Sequence, residues 1–258
     1  MKVFQRKLKK LLLILPLDPT RVFYELGFFK CYMTYFYKKG EYFIKQHSLS
    51  RILLEKLSVL SSKSAQHKAF DLYHLDSIIT KRLPEICLEF GSGLSTLVIA
   101  HRLYTLKKKS LLKSPKIYSI ETDESYGKEI EQIIPDHLKD IVKIIISPSK
   151  ASILDSQLVC YHDCLPDISP DFIYLDGPAQ YNIEGSIKCG LSFKSRATVS
   201  ADLLLYESTL KTGTCILVDG RRENVEFLKN TFLKSYKVKT NKLLGYSLFF
   251  LKGRWEYA

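Results

Sequence analysis

The sequence predicts an α/β protein, with a seven-stranded, mostly parallel sheet, an antiparallel last strand, helices on both faces and an N-terminal helical segment. Three observations predict this fold. After Pro84, short apolar runs alternate with amphipathic stretches, as in sheets built from strand–helix–strand units. The first run leads into a glycine turn that opens a helix. The last two runs are separated only by residues 242–245, which is too short for a parallel crossover.

Seven short apolar runs are predicted to be strands: 85–90, 116–121, 141–147, 171–176, 214–219, 236–241 and 246–251. Helical periodicity predicts five helices around them, at 94–106, 124–134, about 150–158, 200–211 and 222–234. Residues 50–82 also have helical periodicity. We therefore expect a helical region over residues 1–80 and the sheet domain over residues 81–258.

The N-terminal region is basic and rich in aromatic residues. The net charge is +12, and residues 1–50 carry +7 of it, with ten Lys and Arg against three acidic residues. A basic helix is expected to end at Pro16, and a second helix to begin at Asp18. Such helices are typical of a peripheral membrane contact or of a protein–protein surface. The alternative is that the aromatic residues pack on the main domain of the same chain.

No apolar run reaches the roughly 20 residues that span a bilayer. Residues 11–17 resemble the core of a signal peptide, but no cleavage site follows them. Cys87 and Cys215 lie in predicted buried strands, which favours reduced thiols. We therefore expect a cytoplasmic protein, with contact between residues 1–45 and the inner face of the membrane as one alternative. Residues 160–164 (CYHDC) lack the spacing of a zinc site and are predicted to be a loop.

The glycine turn at residues 91–93 is the strongest functional signal. Glycine at positions 91 and 93 allows close approach of the backbone and a positive φ, and the following helix directs free N–H groups into the turn. Thr96 stands where a dinucleotide-binding motif has its third glycine, and no P-loop lysine follows. The carboxylate of Glu89 would repel a pyrophosphate and attract an ammonium group.

The segment Glu89-Phe90-Gly91-Ser92-Gly93 resembles the first motif of the class I S-adenosylmethionine (SAM)-dependent methyltransferases, and the resemblance extends over about residues 85–252. It implies a Rossmann-like sheet with SAM bound at the carboxyl ends of the strands. It also implies that an acid after the second strand binds the ribose of SAM and that a residue after the third strand contacts the adenine. The implied cofactor residues are Glu89, Gly91, Ser92, Gly93, Ser95, Glu121, Asp123 (as the alternative to Glu121), Ser147 and Asp176.

The resemblance places catalysis at the ends of strands four and five. Asp176 is the candidate general base, with capping of the Gly-Pro turn as its alternative role, and Asp219 is a second carboxylate. Some members bind a divalent metal between acids at these positions. Their second acid is commonly followed by Asp or Asn, whereas Gly220 follows here, so a metal is not favoured. Arg221 and Arg222 are candidates for binding an anionic acceptor.

These residues predict a SAM-dependent O-methyltransferase. The amino-acid sequence of residues 88–96 and 217–221 resembles that of bacterial surface-polysaccharide methyltransferases. This resemblance implies a sugar hydroxyl of a glycan or glycolipid as the acceptor. One alternative is an RNA ribose methyltransferase that uses the lysine-rich residues 107–116 as a phosphate track. The other is a non-catalytic nucleotide-binding module. Methylation of a base amine is disfavoured, because Asp176-Gly177-Pro178-Ala179 lacks a stacking aromatic residue.

Overall fold

A computed structural model describes residues 28–179, 182–185 and 198–253. The chain divides into two compact units, Met1–His74 and Leu75–Ala258. The sequence predicted a boundary after residue 80. The helices predicted on either side of Pro16 lie outside the described residues. Within the described part of the chain, none of the helices is both long enough and apolar enough to cross a bilayer.

The described part of the first unit is helical. It contains α1 (Phe28–Gln46), α2 (Ser50–Ser58) and the first part of α3 (Ser62–Arg82). Met33 and Ile44 of α1 are buried, as is Leu53 of α2. The rings of Phe36 and Phe70 meet edge to face, with their centroids 5.1 Å apart. Helical periodicity therefore predicted this unit correctly over the described residues, because its apolar side chains recur on one face of each helix.

The second unit contains a seven-stranded sheet with the order β10-β11-β9-β6-β1-β2-β3. These strands are β1 (Ile86–Phe90), β2 (Lys116–Glu121), β3 (Val142–Ile146), β6 (Phe172–Leu175), β9 (Cys215–Asp219), β10 (Tyr236–Asn241) and β11 (Tyr246–Leu251). Only β11 runs antiparallel to its neighbours, β9 and β10. The seven predicted strands and the antiparallel end are confirmed. The accompanying helices are α4 (Leu94–Lys108), α5 (Glu124–Ile133), α6 (Asp136–Lys139), α7 (Asp202–Tyr206) and α8 (Arg222–Thr231).

The helix predicted at about 150–158 is wrong. The chain there forms a hairpin of β4 (Ser149–Leu154) and β5 (Gln157–His162), in a second sheet with the order β7-β4-β5-β8. Two short strands, β7 (Ile183–Glu184) and β8 (Val199–Ser200), flank the hairpin. The turn residues Asp155 and Ser156 both have positive φ, at 46° and 66°. This is the conformation that joins strands through a two-residue loop, and a polar Asp-Ser pair inside a helical pattern did not reveal it.

Two further predictions in this region are corrected. Residues 160–164 were expected to be a loop, but Cys160 and His162 belong to β5 and are buried. The helix predicted at 200–211 is shorter, because α7 ends at Tyr206 and one 3₁₀ turn, Glu207–Thr209, follows. Both segments pack on the sheet through apolar side chains of β5, β8 and α7, such as Val159, Val199 and Leu203. Burial on the sheet therefore decided these conformations.

The helical unit depends on a glycine at a close contact between two helices. A Cβ atom on Gly40 of α1 would lie 2.5 Å from the backbone nitrogen of Phe70 in α3. We expect Gly40→Ala to reduce the free energy of unfolding by about 1–3 kcal/mol, because the two backbones must separate. Urea denaturation followed by circular dichroism measures this change. Gln46→Ala, at an exposed position of the same helix, is the control, and equal midpoints for both variants would contradict the prediction.

Candidate functional site at the carboxyl ends of the strands

The turn between β1 and α4 lies against the turn after β6. Gly91 has φ +94°, and its N–H donates to the carbonyl of Ile120 at 2.8 Å. A Cβ atom on Gly177 would lie 2.7 Å from the nitrogen of Gly91, so the two turns approach each other backbone to backbone. Gly93 was also expected to need a positive φ, but its φ is 168°, which is extended. A Cβ atom at this position would instead be in contact with the Tyr126 hydroxyl, at 3.4 Å.

Glu89 lies in β1 and is fully buried. Its Oε2 accepts hydrogen bonds from the hydroxyls of Thr96, at 2.6 Å, and Ser119, at 2.8 Å. Thr96 Oγ1 also accepts the N–H of Gly93 at 2.9 Å, so the same hydroxyl connects the carboxylate to the glycine turn. Burial raises the pKa of Glu89 to about 7, and the surrounding hydroxyls oppose this rise. Ionisation of Glu89 is therefore balanced near neutral pH.

The other carboxylate oxygen of Glu89 has no hydrogen-bond donor among the described residues. Oε1 is buried and forms no hydrogen bond with the residues that the structure describes. The Ser95 hydroxyl is near enough to lower the pKa of Glu89, although no hydrogen bond of normal geometry joins it to Oε1. A buried carboxylate oxygen without a donor is unfavourable, and a ligand N–H group would correct this. Oε1 is thus a natural acceptor for an ammonium group.

Glu121 ends β2 and holds the glycine turn from the other side. Its Oε2 accepts both the N–H and the hydroxyl of Ser92, at 2.9 and 2.8 Å. Its Oε1 accepts the N–H groups of Thr122 and Asp123, at 2.8 and 3.0 Å. Asp123, the predicted alternative to Glu121, caps α5 by accepting the N–H of Tyr126 at 2.9 Å, which lowers the pKa of Asp123. Glu121 is therefore the acid that borders the turn.

Ser147 follows β3 and is buried. Its hydroxyl accepts the N–H of Cys164 at 2.8 Å, and its own N–H donates to the carbonyl of Glu121 at 2.8 Å. These contacts join the end of β3 to the end of β2 and to the chain beyond the hairpin. Ser147 thus lies at the predicted edge of the sheet, with its hydroxyl already engaged in the fold.

Asp176 follows β6, Asp219 ends the neighbouring strand β9, and both are near the hydroxyl of Tyr174. Leu175 of β6 pairs with Val218 of β9. The two acids are the next residues of the two chains and are therefore neighbours across the strands. The Tyr174 hydroxyl lies 3.0 Å from Oδ2 of Asp219 and 3.4 Å from Oδ2 of Asp176. Because a phenol carries one hydrogen, it donates mainly to the nearer carboxylate of Asp219. The structure therefore brings both predicted acids together and adds Tyr174, which the sequence interpretation missed.

The two predicted arginines differ in their surroundings. Arg221 is half-buried, and its Nη2 donates to the backbone carbonyl of Asp176. Arg222 starts α8 and is exposed. The part of the chain that the structure describes contains no group of three or more His, Cys, Asp or Glu residues arranged to hold a metal ion. The donors at this edge are two carboxylates and a phenol, and the guanidinium of Arg221 lies beside them.

A buried histidine–aspartate pair lies beside β1. His162 Nδ1 is 2.8 Å from Oδ2 of Asp202, and the backbone N–H of His162 donates to Oδ1 at 2.8 Å. The Ser200 hydroxyl donates to the same carboxylate at 2.9 Å. The ring of His162 packs against that of Phe90, with the centroids 5.5 Å apart. The sequence held no signal for this pair, because its members are 40 residues apart and no shared motif contains both.

Comparison with known proteins gives a likeness of fold. No protein-family model matches the chain, and no curated protein matches it. The O-methyltransferase from Bacillus cereus, solved with SAH, is 14% identical, with 85% of this chain and 100% of that chain covered and a TM-score of 0.50. The O-methyltransferase TomG from Streptomyces achromogenes, solved with SAM, is 13% identical, with 72% and 81% covered and a TM-score of 0.44. The Bacillus cereus structure supports the Rossmann-like fold expected from the sequence.

The carboxylate of Asp202 is expected to be important for stability. Asp202→Ala leaves two N–H groups of His162 and the Ser200 hydroxyl without their acceptor inside the protein. We expect a loss of about 3 kcal/mol in the free energy of unfolding, measured by urea denaturation. Asp163→Ala is the matched control, because Asp163 pairs with Lys150 at the surface and such pairs contribute about 1 kcal/mol or less. Equal losses in the two variants would show that the buried pair is not stabilising.

Proposed function

We propose that this protein is a SAM-dependent O-methyltransferase that acts on a sugar hydroxyl of a glycan or glycolipid. The observation that carries the proposal is the unpaired, buried Oε1 of Glu89 beside the glycine turn. This oxygen could accept a hydrogen bond from a positively charged nitrogen of a ligand bound at the start of α4. The Bacillus cereus protein, which has this fold, was solved in complex with SAH, a ligand of the class that we propose here.

The remaining residues of the edge fit SAM. Oε1 of Glu89 would accept a hydrogen bond from its ammonium group, and Ser95 lies beside that oxygen. Glu121 and the Ser92 hydroxyl would accept hydrogen bonds from the ribose. Bare glycine backbone at Gly91 and Gly93 would let the ligand approach the turn. When bound, SAM supplies a methyl group made electrophilic by the sulfonium.

Asp176 is the proposed general base. It follows β6 at the same edge as Glu89, close enough for the two charges to interact. An acceptor hydroxyl that donates to Asp176 would give its proton to this carboxylate as its oxygen takes the methyl group from SAM, with the electron pair of the broken carbon–sulfur bond left on the sulfur. The Tyr174 hydroxyl donates mainly to Asp219, at 3.0 Å, and lies 3.4 Å from Oδ2 of Asp176.

The charge of the edge supports a sugar acceptor over RNA. β1 and β2 are parallel, so α4 runs back from the carboxyl edge of the sheet to the amino edge. Residues 107–116 therefore lie at the amino edge, where the N–H of Lys113 donates to Glu85 at 2.8 Å. The lysines predicted to follow an RNA backbone are thus at the far edge from Asp176 and Asp219. The two carboxylates favour an acceptor rich in hydroxyl donors, and they also favour catalysis over a non-catalytic module.

Calorimetric titration with SAM tests the proposal. We expect the dissociation constant to be about fivefold higher at pH 6.0 than at pH 7.5. The folded protein holds the pKa of Glu89 near 7, so acid protonates this carboxylate and removes the charge that attracts the ammonium. The ammonium, with a pKa of about 8, stays mostly charged across this range.

Glu89→Gln should bind SAM more weakly and lose the pH dependence. Glu124→Gln is the matched control, because Glu124 is exposed and paired with Lys128 on α5. Absence of SAM binding to the wild-type protein would overturn the proposed function. Binding that is equally tight at both pH values would remove Glu89 from the ammonium site.

We also propose that α1 brings the enzyme to a membrane that carries the acceptor. Four exposed side chains follow each other on one face of this helix: Tyr35, Lys38, Tyr42 and Lys45. Tyrosine is suited to the headgroup region of a bilayer, and lysine attracts anionic lipid. This face, here called the Tyr/Lys face, supports the peripheral contact expected for residues 1–45.

Flotation with phosphatidylglycerol vesicles tests the Tyr/Lys face. We expect the wild-type protein to float, and Lys38→Gln combined with Lys45→Gln to weaken partitioning by about tenfold or more, since each lysine contributes about 1 kcal/mol. Lys107→Gln combined with Lys109→Gln, which removes the same charge elsewhere, is the control. Equal partitioning of the two double variants would contradict the proposal.

A further inference from the structure

The two carboxylates at the ends of β6 and β9 need a positive charge near them. Asp176 and Asp219 are next to each other across two paired strands, and the Tyr174 hydroxyl lies within 3.4 Å of an oxygen of each. Two neighbouring carboxylates are stabilised by a positive charge beside them. The base proposed at Asp176 acts as a carboxylate, so a cation at this edge would favour that role.

Arg221 is placed to do so. Gly220 turns the chain after Asp219 with φ +62°, and the guanidinium of Arg221 then reaches back to donate to the carbonyl of Asp176. Burial lowers the pKa of Arg221, and attraction to Asp176, Tyr174 and Asp219 opposes that change. A guanidinium remains charged in proteins. Its hydrogen bond to the main chain fixes this charge beside the pair.

We propose that Arg221 is a positioning residue that supplies, at the Asp176–Asp219 pair, the positive charge that a divalent metal would otherwise supply. This inference rests on the proposed function, since it concerns the base of that reaction. It assigns Arg221 to the carboxylates of the protein itself, whereas the sequence interpretation assigned it to an anionic acceptor. The enzyme would then transfer methyl groups without a metal.

The same two carboxylates are possible metal ligands, so the role of Arg221 can be tested with a metal ion. A divalent cation at the pair would have two carboxylates and one phenol as ligands from the described residues, and water or acceptor oxygens would complete its shell. It would also lie close to a fixed guanidinium, and the repulsion between the two cations lowers metal affinity. Removing the guanidinium should therefore make the pair more attractive to a metal ion.

Binding of Mn²⁺ to the full-length protein, followed by electron paramagnetic resonance, tests the inference. We expect weak binding to the wild-type protein and binding about tenfold or more tighter to Arg221→Ala, which removes the guanidinium beside the carboxylates. Arg221→Lys keeps a charge at this position and should resemble the wild type. Arg222→Ala removes the same charge from an exposed neighbour and should also resemble the wild type.

Two results would overturn the inference. One is tight Mn²⁺ binding to the wild-type protein that Asp219→Asn abolishes, which would identify a metal site. The other is equal Mn²⁺ affinity in Arg221→Ala and Arg222→Ala. Calorimetric titration of each variant with SAM distinguishes failure of this inference from failure of the proposed function. Retained SAM binding shows that the variant is folded, and loss of SAM binding in the wild type would count against the function itself.

Discussion

The contact between Gly91 and Gly177 places two turns of the sheet edge back to back. A Cβ atom on Gly177 would lie 2.7 Å from a backbone nitrogen of the other turn, so only glycine allows this approach. The first turn begins two residues after Glu89, and the second follows Asp176 directly. The contact therefore brings the proposed ammonium acceptor and the proposed base to the same edge. The proposed placement of SAM and of the acceptor depends on it.

Acidic groups at this edge are held in three different ways. Glu89 is buried among hydroxyls, and burial raises its pKa to about 7. Glu121 is surrounded by N–H groups and the Ser92 hydroxyl. Asp176 and Asp219 share Tyr174 and lie beside Arg221. These surroundings separate the proposed roles, because a cationic ligand, a ribose and an acceptor hydroxyl each meet a carboxylate with a different environment.

The hairpin of β4 and β5 is the main difference between the observed fold and the predicted one. It occupies a face of the main sheet where a helix was predicted, and it places His162 against Phe90 at the end of β1. Asp202 holds this histidine through two of its N–H groups. The end of β5 is thus in contact with the strand that carries Glu89. The hydrogen bonds between His162 and Asp202 are buried, which makes this contact specific.

How much could be predicted from the sequence differs between the strands and the site. The seven strands of the main sheet, the antiparallel end and the glycine turn were predictable, because buried strands are continuous apolar runs and turns need glycine. The positions of Glu89, Glu121, Asp176 and Asp219 at one edge followed from the parallel connections. The hairpin was not predictable, because residues 149–162 have no pattern that separates a short helix from two strands.

The sequence by itself determined the fold class and the acids at the carboxyl edge, since both depend on periodicity and on short motifs. Only the tertiary structure decided which groups surround each acid. Tyr174 between the carboxylates, Arg221 at the carbonyl of Asp176, and Asp202 against His162 are contacts between residues 2 to 45 positions apart. Such contacts arise from strand register and packing, which bring together side chains that no local pattern relates.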